Sequence, residues 1–263
     1  FTDRETAGLK PDTAALLEQD FPGSWRHQAS TAEFHARLLR PGATPPAPAE
    51  VPDKPDAYVL RILPDGVCID AASASGVWYG LQTLRQLIAE DECIPTGEIT
   101  DYAAIPLRGF HVDLKGYLPK FERLLDDFRR LAYYKVNLVL LELEDKYDYR
   151  CAPEVGVPGA YTFEQLRTLS RHAAALGIEI IPKVQCFAHV DYLLKIPRYR
   201  HLREGDHPYQ YCPRNDEVFA LWRAMVTEVM EALAEHRGYF HIGADEADNL
   251  GSCPRCTPYS KAD

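Results

Sequence analysis

Positive charge is in short supply in this chain. Its 263 residues carry 29 Lys and Arg against 39 Asp and Glu, a net charge of -10. That balance argues against nucleic acid or an anionic membrane as the main partner. No apolar run approaches membrane-spanning length, and no basic-then-apolar signal segment opens the sequence at Phe1. Walker, G-x-G-x-x-G and G-x-S-x-G patterns are all missing, so nucleotide and serine-hydrolase readings have no anchor. Cysteines number seven, an odd count without the dense spacing of a disulfide framework. The usage leans towards a reducing compartment, and a cytoplasmic location is the expectation, with export as the alternative. Cys253-Pro-Arg-Cys256 has zinc-knuckle spacing, yet a structural zinc site takes four ligands, and no second C-x-x-C or H-x-x-x-H accompanies it. The expectation there is a loop with two thiols, with no metal and no cofactor.

What is present is ordinary for a globular protein, 46% apolar and 26% charged. The Pro-rich residues 41–56 read as a loop within a first domain. After it, Tyr58, Leu60 and Ile62 alternate with Val59, Arg61 and Leu63, and Asp65-Gly66 turns into Val67-Cys68-Ile69, a hairpin signal. Val77, Leu81, Leu84, Leu87 and Ile88 recur at helical spacing and pack a helix on that sheet. From Ile105 onwards strands alternate with longer helices. Phe110–Leu114, Val136–Leu141, Ile178–Val184 and Tyr239–Ile242 are the strand candidates. Thr162 and Gln165 form a capping box ahead of one intervening helix. Four β–α steps with polar residues after the strands predict a parallel (β/α)8 barrel with its chemistry at the C-terminal rim. Such a barrel takes about 250 residues. The expected fold is therefore α/β: a small α/β domain over residues 1–104, then about the first half of a TIM barrel over 105–263, the sequence being a fragment. An open sheet completed by a second chain is the alternative.

Several polar groups fall where strand ends converge. Arg108 precedes the first strand and Asp113 lies near its end; Glu142, Glu144 and Asp145 close the second; Gln185 and His189 follow the third. His241-Ile-Gly-Ala-Asp245-Glu246 closes the fourth with two adjacent acids. Like charges held close disfavour joint ionisation, so one carboxyl of such a pair can stay protonated while its neighbour stays anionic. A core ion pair for Arg108 and a hydrogen-bonded core position for His189 are the plainer readings of those two residues.

Together, Arg108-Gly-Phe-His-Val-Asp-Leu, Tyr134 to Asp145, Pro182 to His189 and His241-Ile-Gly-Ala-Asp-Glu246 resemble family 20 glycoside hydrolases, the β-N-acetylhexosaminidases. Val184-Gln-Cys-Phe-Ala-His189, His201-Leu-Arg-Glu204 and Asn249-Leu-Gly251 are similar to the hexosaminidase D branch. The resemblance implies removal of terminal β-linked N-acetylhexosamine from glycans by substrate-assisted retaining hydrolysis, in which the sugar's own acetamido oxygen attacks the anomeric carbon. It implies Glu246 as general acid and then base, and Asp245 as the group that holds the acetamido N–H. It implies a His189–Asp145 relay behind Glu246, and Arg108 as the clasp on sugar hydroxyls. The second half of the family's barrel supplies a Tyr and the Trp walls of the sugar pocket, expected beyond Asp263. A carbohydrate-binding or pseudoenzyme module, and a glycosidase with another sugar preference, are the alternative functions.

Overall fold

The computed structural model describes residues 25–26, 34–39, 44, 46–90, 94–235 and 238–259. The start of the expected first domain, and residues 41–43 and 45 of the Pro-rich loop, lie outside them. The chain divides into two compact units. The first takes in Phe1–Arg108, Phe128–Asn137 and Ala175–Ile178; the second Gly109–Asp127, Leu138–Ala174 and Glu179–Asp263.

In the first unit, β1 (Trp25–Arg26), β2 (Phe34–Leu39), β3 (Tyr58–Leu63), β4 (Gly66–Ala71) and β5 (Gly97–Asp101) form an antiparallel sheet of order β1-β2-β4-β3-β5. The β3–β4 hairpin is the one the alternation predicts, closing at the Leu63–Gly66 pair. Its inward side chains Tyr58, Leu60 and Ile69 are buried under helix α1 (Ala74–Glu90), which contributes Leu81 and Leu84. Ser73 caps α1, its hydroxyl accepting from the Gly76 N–H at 3.0 Å. Gly76 and Gly80 let the helix lie close on the sheet: a Cβ would stand 2.6 Å from the Ala57 carbonyl at the first and 2.8 Å from Ile69 at the second. Beneath β4, the buried Asp70 carboxylate gathers Arg37, His35 and Arg61, with the Ala49 N–H at 3.0 Å.

In the second unit, β6 (Gly109–Asp113), β7 (Leu138–Glu142) and β8 (Glu179–Lys183) run parallel in that order. Helix α2 (Phe121–Tyr133), whose residues from Phe128 on belong to the first unit, follows β6, and α3 (Phe163–Ala175), whose last residue also belongs to it, follows β7. The capping box is reciprocal: the Thr162 N–H donates to Gln165 Oε1 at 2.9 Å and the Gln165 N–H to Thr162 Oγ1 at 3.2 Å. After β8 the chain makes the short helix α4 (Asp191–Leu194), a 3-10 turn over Pro197–Leu202 and a return pinned by an antiparallel Arg203–Tyr211 bridge. Helix α5 (Asp216–Ala232) then begins on Asn215, whose side chain accepts from the Glu217 N–H. The Trp222 indole N–H on α5 donates to the Val184 carbonyl at 3.1 Å.

The expected fourth strand is shorter than its apolar run predicts. Among the described residues it is a single parallel bridge, Lys183 to His241, continued by Cys186 N–H to Ile242 O at 3.0 Å. Gly238 and Gly243, with φ of 96° and 73°, bracket the segment in left-handed backbone and cut the extended stretch short. Phe110 on β6, and Tyr239 and Ile242 on this segment, are more than half exposed or nearly so at 52%, 65% and 50%.

Candidate active site

The ends of the parallel sheet set up two neighbouring groups of polar side chains. At the end of β7, Glu142 is buried and fully engaged: Lys183 Nζ and His111 Nε2 lie 3.0 and 3.2 Å from its Oε2, and the Gln185 amide donates to its Oε1 at 2.9 Å. His111, Asp113 and Glu142 are close enough to share a cation, but Lys183 already neutralises the one buried member. Two residues on, Glu144 faces Lys115 at 3.2 Å. Burial outweighs that lysine and, with the nearby Glu142 and Asp113 charges, pushes the Glu144 carboxyl up to about 7.

The second group is the one the acid pair predicts. His189 Nε2 stands 3.4 Å from Asp245 Oδ2 and 3.1 Å from Glu246 Oε2. The Tyr209 hydroxyl lies 3.0 Å from the same His189 nitrogen and 3.5 Å from Glu246 Oε2. The Glu246 side chain is 70% exposed and that of Asp245 48%, whereas His189 is mostly covered at 19%. Both carboxylates thus face open space over a fixed imidazole. Burial works against the Asp245 charge. Its own backbone N–H, the Lys183 and His189 charges and the Gln185 amide outweigh that and hold the carboxyl below the usual carboxylate range.

The backbone here is unusual. Glu144, His189, Ala244 and Glu246 all adopt left-handed φ, at 46°, 56°, 66° and 52°. Each costs a non-glycine residue about 1–2 kcal/mol, and such outliers gather where side chains must be aimed. Gly243, at φ 73°, packs against Gln185: a Cβ there would meet the Gln185 side chain at 1.9 Å and its Cα at 3.2 Å. The tight seat brings the Gln185 amide against the turn that carries Asp245.

Two of the expected site residues are engaged elsewhere. Asp145 is buried in the 3-10 turn Glu144–Lys146, its carboxylate paired with Lys146 and, at 3.7 Å, with Lys195. Among the described residues no hydrogen bond or ion pair joins it to His189, so the direct relay implied by the resemblance is not formed. A lysine one residue away competes at shorter range for the same carboxylate. Arg108 lies in the first unit, packed over the Tyr79 ring at 4.8 Å. Its Nε donates to the Lys135 carbonyl at 2.7 Å, Nη1 to those of Ile105 and Pro106, and Nη2 lies 3.5 Å from Asp56. Asp56, Tyr79, Ile105 and Lys135 line, with Arg108, a recess of about 280 Å³ within that unit. Nε and Nη1, expected to be open to sugar hydroxyls, are taken up by protein carbonyls, while Nη2 has no hydrogen-bond partner among the described residues.

Tyr209 has no counterpart in the sequence reading. It sits in the aperiodic return between Arg203 and Tyr211, and only its tertiary contacts reveal it. The Cys253–Cys256 loop also differs from expectation. Both thiols are buried, and they are joined by Cys212 and Glu204 in a four-residue group whose ligand atoms lie within 4.8 Å of one another. The two extra members come from 41 and 49 residues upstream of Cys253, a separation that no short motif records.

Comparison with known proteins agrees with this architecture. Residues 4–102 match the family model described as glycosyl hydrolase family 20, domain 2, and residues 140–262 match that of the glycosyl hydrolase family 20 catalytic domain. The chain is 30% identical over 243 residues to a beta-hexosaminidase of Akkermansia muciniphila, a match covering 79% of this chain and 49% of that protein. It is 34% identical over 147 residues to hexosaminidase D of Bos taurus, covering 55% of this chain and 42% of that one. A crystal structure of a beta-N-acetylhexosaminidase superimposes with a TM-score of 0.70 at 29% identity, over 80% of this chain and 52% of the other. The chain therefore spans about half the length of the relatives it matches. Its fold is the expected one, a small α/β domain followed by about the first half of a (β/α)8 barrel.

Proposed function

The chain belongs to glycoside hydrolase family 20, and on that premise we propose that the full-length protein is an exo-acting β-N-acetylhexosaminidase whose acid pair lies in this chain. The observation that carries the reading is the convergence of Asp245, Glu246 and His189 behind the bridge at Lys183 and His241. Glu246, the more exposed carboxyl, protonates the departing glycosidic oxygen and then takes a proton from water. Asp245, kept anionic by its N–H, Lys183, His189 and Gln185, accepts the acetamido N–H. It thereby steers the acetamido oxygen towards the anomeric carbon and stabilises the cationic ring that forms. The internal nucleophile acts through high effective molarity. His189 and Tyr209 hold the Glu246 carboxyl in place.

The test is hydrolysis by the full-length protein of an aryl N-acetyl-β-glucosaminide beside the matching aryl β-glucoside. Cleavage of the acetamido sugar alone is expected. Equal cleavage of both requires a protein nucleophile and sinks the substrate-assisted scheme; cleavage of neither favours a binding module. Glu246→Gln sharpens the outcome. Its loss of about 10²–10⁴-fold falls on substrates with poor leaving groups, and an equal loss across leaving groups excludes an acid role.

A further inference from the structure

The buried group at Cys212, Cys253, Cys256 and Glu204 has no part in the proposed reaction. Its sulfurs are not bridged: Cys212 Sγ lies 3.5 Å from Cys253 Sγ and 3.6 Å from Cys256 Sγ. Four thiolate ligands at 2.3 Å from a tetrahedral zinc would be separated by about 3.8 Å, close to the observed spacing and far from a covalent bond. The fourth member is a carboxylate that is almost wholly covered, at 2% exposure. Glu204 Oε1 accepts the Cys253 N–H at 3.0 Å, while its Oε2 is buried without a hydrogen-bond partner. A buried carboxylate whose second oxygen has only three thiols beside it, weak donors at best, is poorly compensated for its burial. A cation bound by the sulfurs and this oxygen supplies the compensation.

We infer that these four side chains form a structural zinc site. The donor set selects the metal: thiolates favour zinc over magnesium, calcium or manganese. Three sulfurs and one carboxylate, all buried, complete four-fold coordination and leave no open position for a substrate. Binding releases the three thiol protons to solvent and changes no oxidation state. The loop has the necessary form. Cys256 and Thr257 donate their N–H groups to the Cys253 carbonyl at 3.0 and 2.9 Å, folding the C-x-x-C turn. The opposite side is a pinned return, with the Glu204 N–H donating to Gln210 O at 2.9 Å and the Cys212 N–H to Leu202 O at 2.8 Å. The Arg214 N–H is directed at the Cys212 sulfur, the kind of outer contact that stabilises a metal-bound thiolate.

The position of the site gives it a consequence. One of its arms, 203–212, carries Tyr209; the other, 249–257, directly follows the acid pair. The Asn249 N–H donates to Gln210 Oε1 at 3.1 Å, already stitching the two arms together. Zinc ties the loop after Glu246 to the loop that presents Tyr209 to His189. The ion acts on structure, away from the reacting sugar.

The experiment is metal analysis of the full-length protein purified without added metal or chelator, with thiol counting after denaturation. About one zinc per chain is expected. Cys253→Ser and Cys212→Ser should bring it below one-tenth, and Glu204→Gln should weaken retention against a competing chelator by about tenfold or more. Cys151→Ser, at an exposed cysteine outside the group, should leave the zinc in place. Where the cysteine variants fail to fold, cobalt exchanged into the unmutated protein serves instead: intense thiolate-to-metal absorption with a tetrahedral visible spectrum is expected. A metal-free protein with two of the three sulfurs in a disulfide overturns the inference. So does zinc that survives in the variants, or cobalt without a thiolate band. None of these readouts depends on glycosidase activity, so the site and the proposed reaction stand or fall separately.

Discussion

Each unit of this molecule holds a carboxylate against a histidine, and the two arrangements are put to opposite uses. In the first unit, Asp70 is 1% exposed and shared by His35, Arg37 and Arg61, with a backbone N–H as well. Every lone pair faces a donor and no face is left for a ligand. In the second unit, Asp245 and Glu246 share one mostly covered histidine, yet their own side chains are 48% and 70% exposed. The backbone that carries Glu246 is left-handed, as is that of His189. A carboxylate closed in by cations organises a fold. Two left open over a single imidazole, on backbone that must be held in place, are available for chemistry.

The sharpest way to break the comparison is to neutralise each carboxylate by one atom. Asp245→Asn in the full-length protein is expected to lower kcat on an N-acetyl-β-glucosaminide by about 10²–10³-fold, the usual cost of losing a preorganised electrostatic group. Its melting temperature should stay unchanged, because the side chain is half exposed. Unchanged turnover would remove Asp245 from the mechanism. Asp70→Asn should do the reverse, costing about 3–5 kcal/mol of stability by stranding buried arginines while leaving kcat and KM of the folded enzyme alone. Denaturant unfolding with parallel kinetics separates the two. The pH dependence should follow. Burial raises the Asp70 pKa, but the Arg37 hydrogen bond, the Ala49 N–H, the Arg37 charge and His35 together hold it below 3.8. A depressed folded-state pKa gives stability that is present above the unfolded value of 3.8 and is lost as pH falls through the folded one. Asp70→Asn should therefore flatten the acid limb of the stability curve below about pH 4.

Legibility in the sequence follows from whether a feature is local. The Tyr58–Ile69 hairpin, the α1 stripe and the Thr162 capping box are set by periodicity and by contacts three or four residues apart, and each lies where those signals put it. The half-buried parallel strands β7 and β8 are readable as apolar runs, but the same signal overstates Tyr239–Ile242, where two left-handed glycines end the extension. The acid pair is visible because both carboxyls are adjacent in the chain and follow a parallel segment. Partners gathered from far apart are invisible. Tyr209 lies in a loop without period, and Glu204 and Cys212 join the C-x-x-C loop from 49 and 41 residues away. Arg108 and Asp145 are readable as charges near strand termini. Which neighbour each charge meets is a tertiary fact, and nearby carbonyls and lysines take them.

The smallest expected effect concerns the hydroxyl that only the fold reveals. Burial, together with the Glu246 and Asp245 charges, pushes the Tyr209 phenol up, so it stays protonated and acts as a donor at neutral pH. Its bonds are unequal, 3.0 Å to His189 and 3.5 Å to Glu246, so the imidazole is the better-held partner. Tyr209→Phe removes the hydroxyl and keeps the ring, which packs edge-on against His189 at 5.0 Å. Loss of one such bond is worth about 1 kcal/mol, or roughly fivefold in rate. If the hydroxyl positions the acid, that loss should appear in kcat with KM unchanged, and Asp70→Asn should show no such loss. A rise in KM at constant kcat would make Tyr209 a substrate contact. An unchanged kcat and KM would leave the ring packing as its whole contribution, and would place the precision of the acid pair in the left-handed turn at Gly243–Glu246.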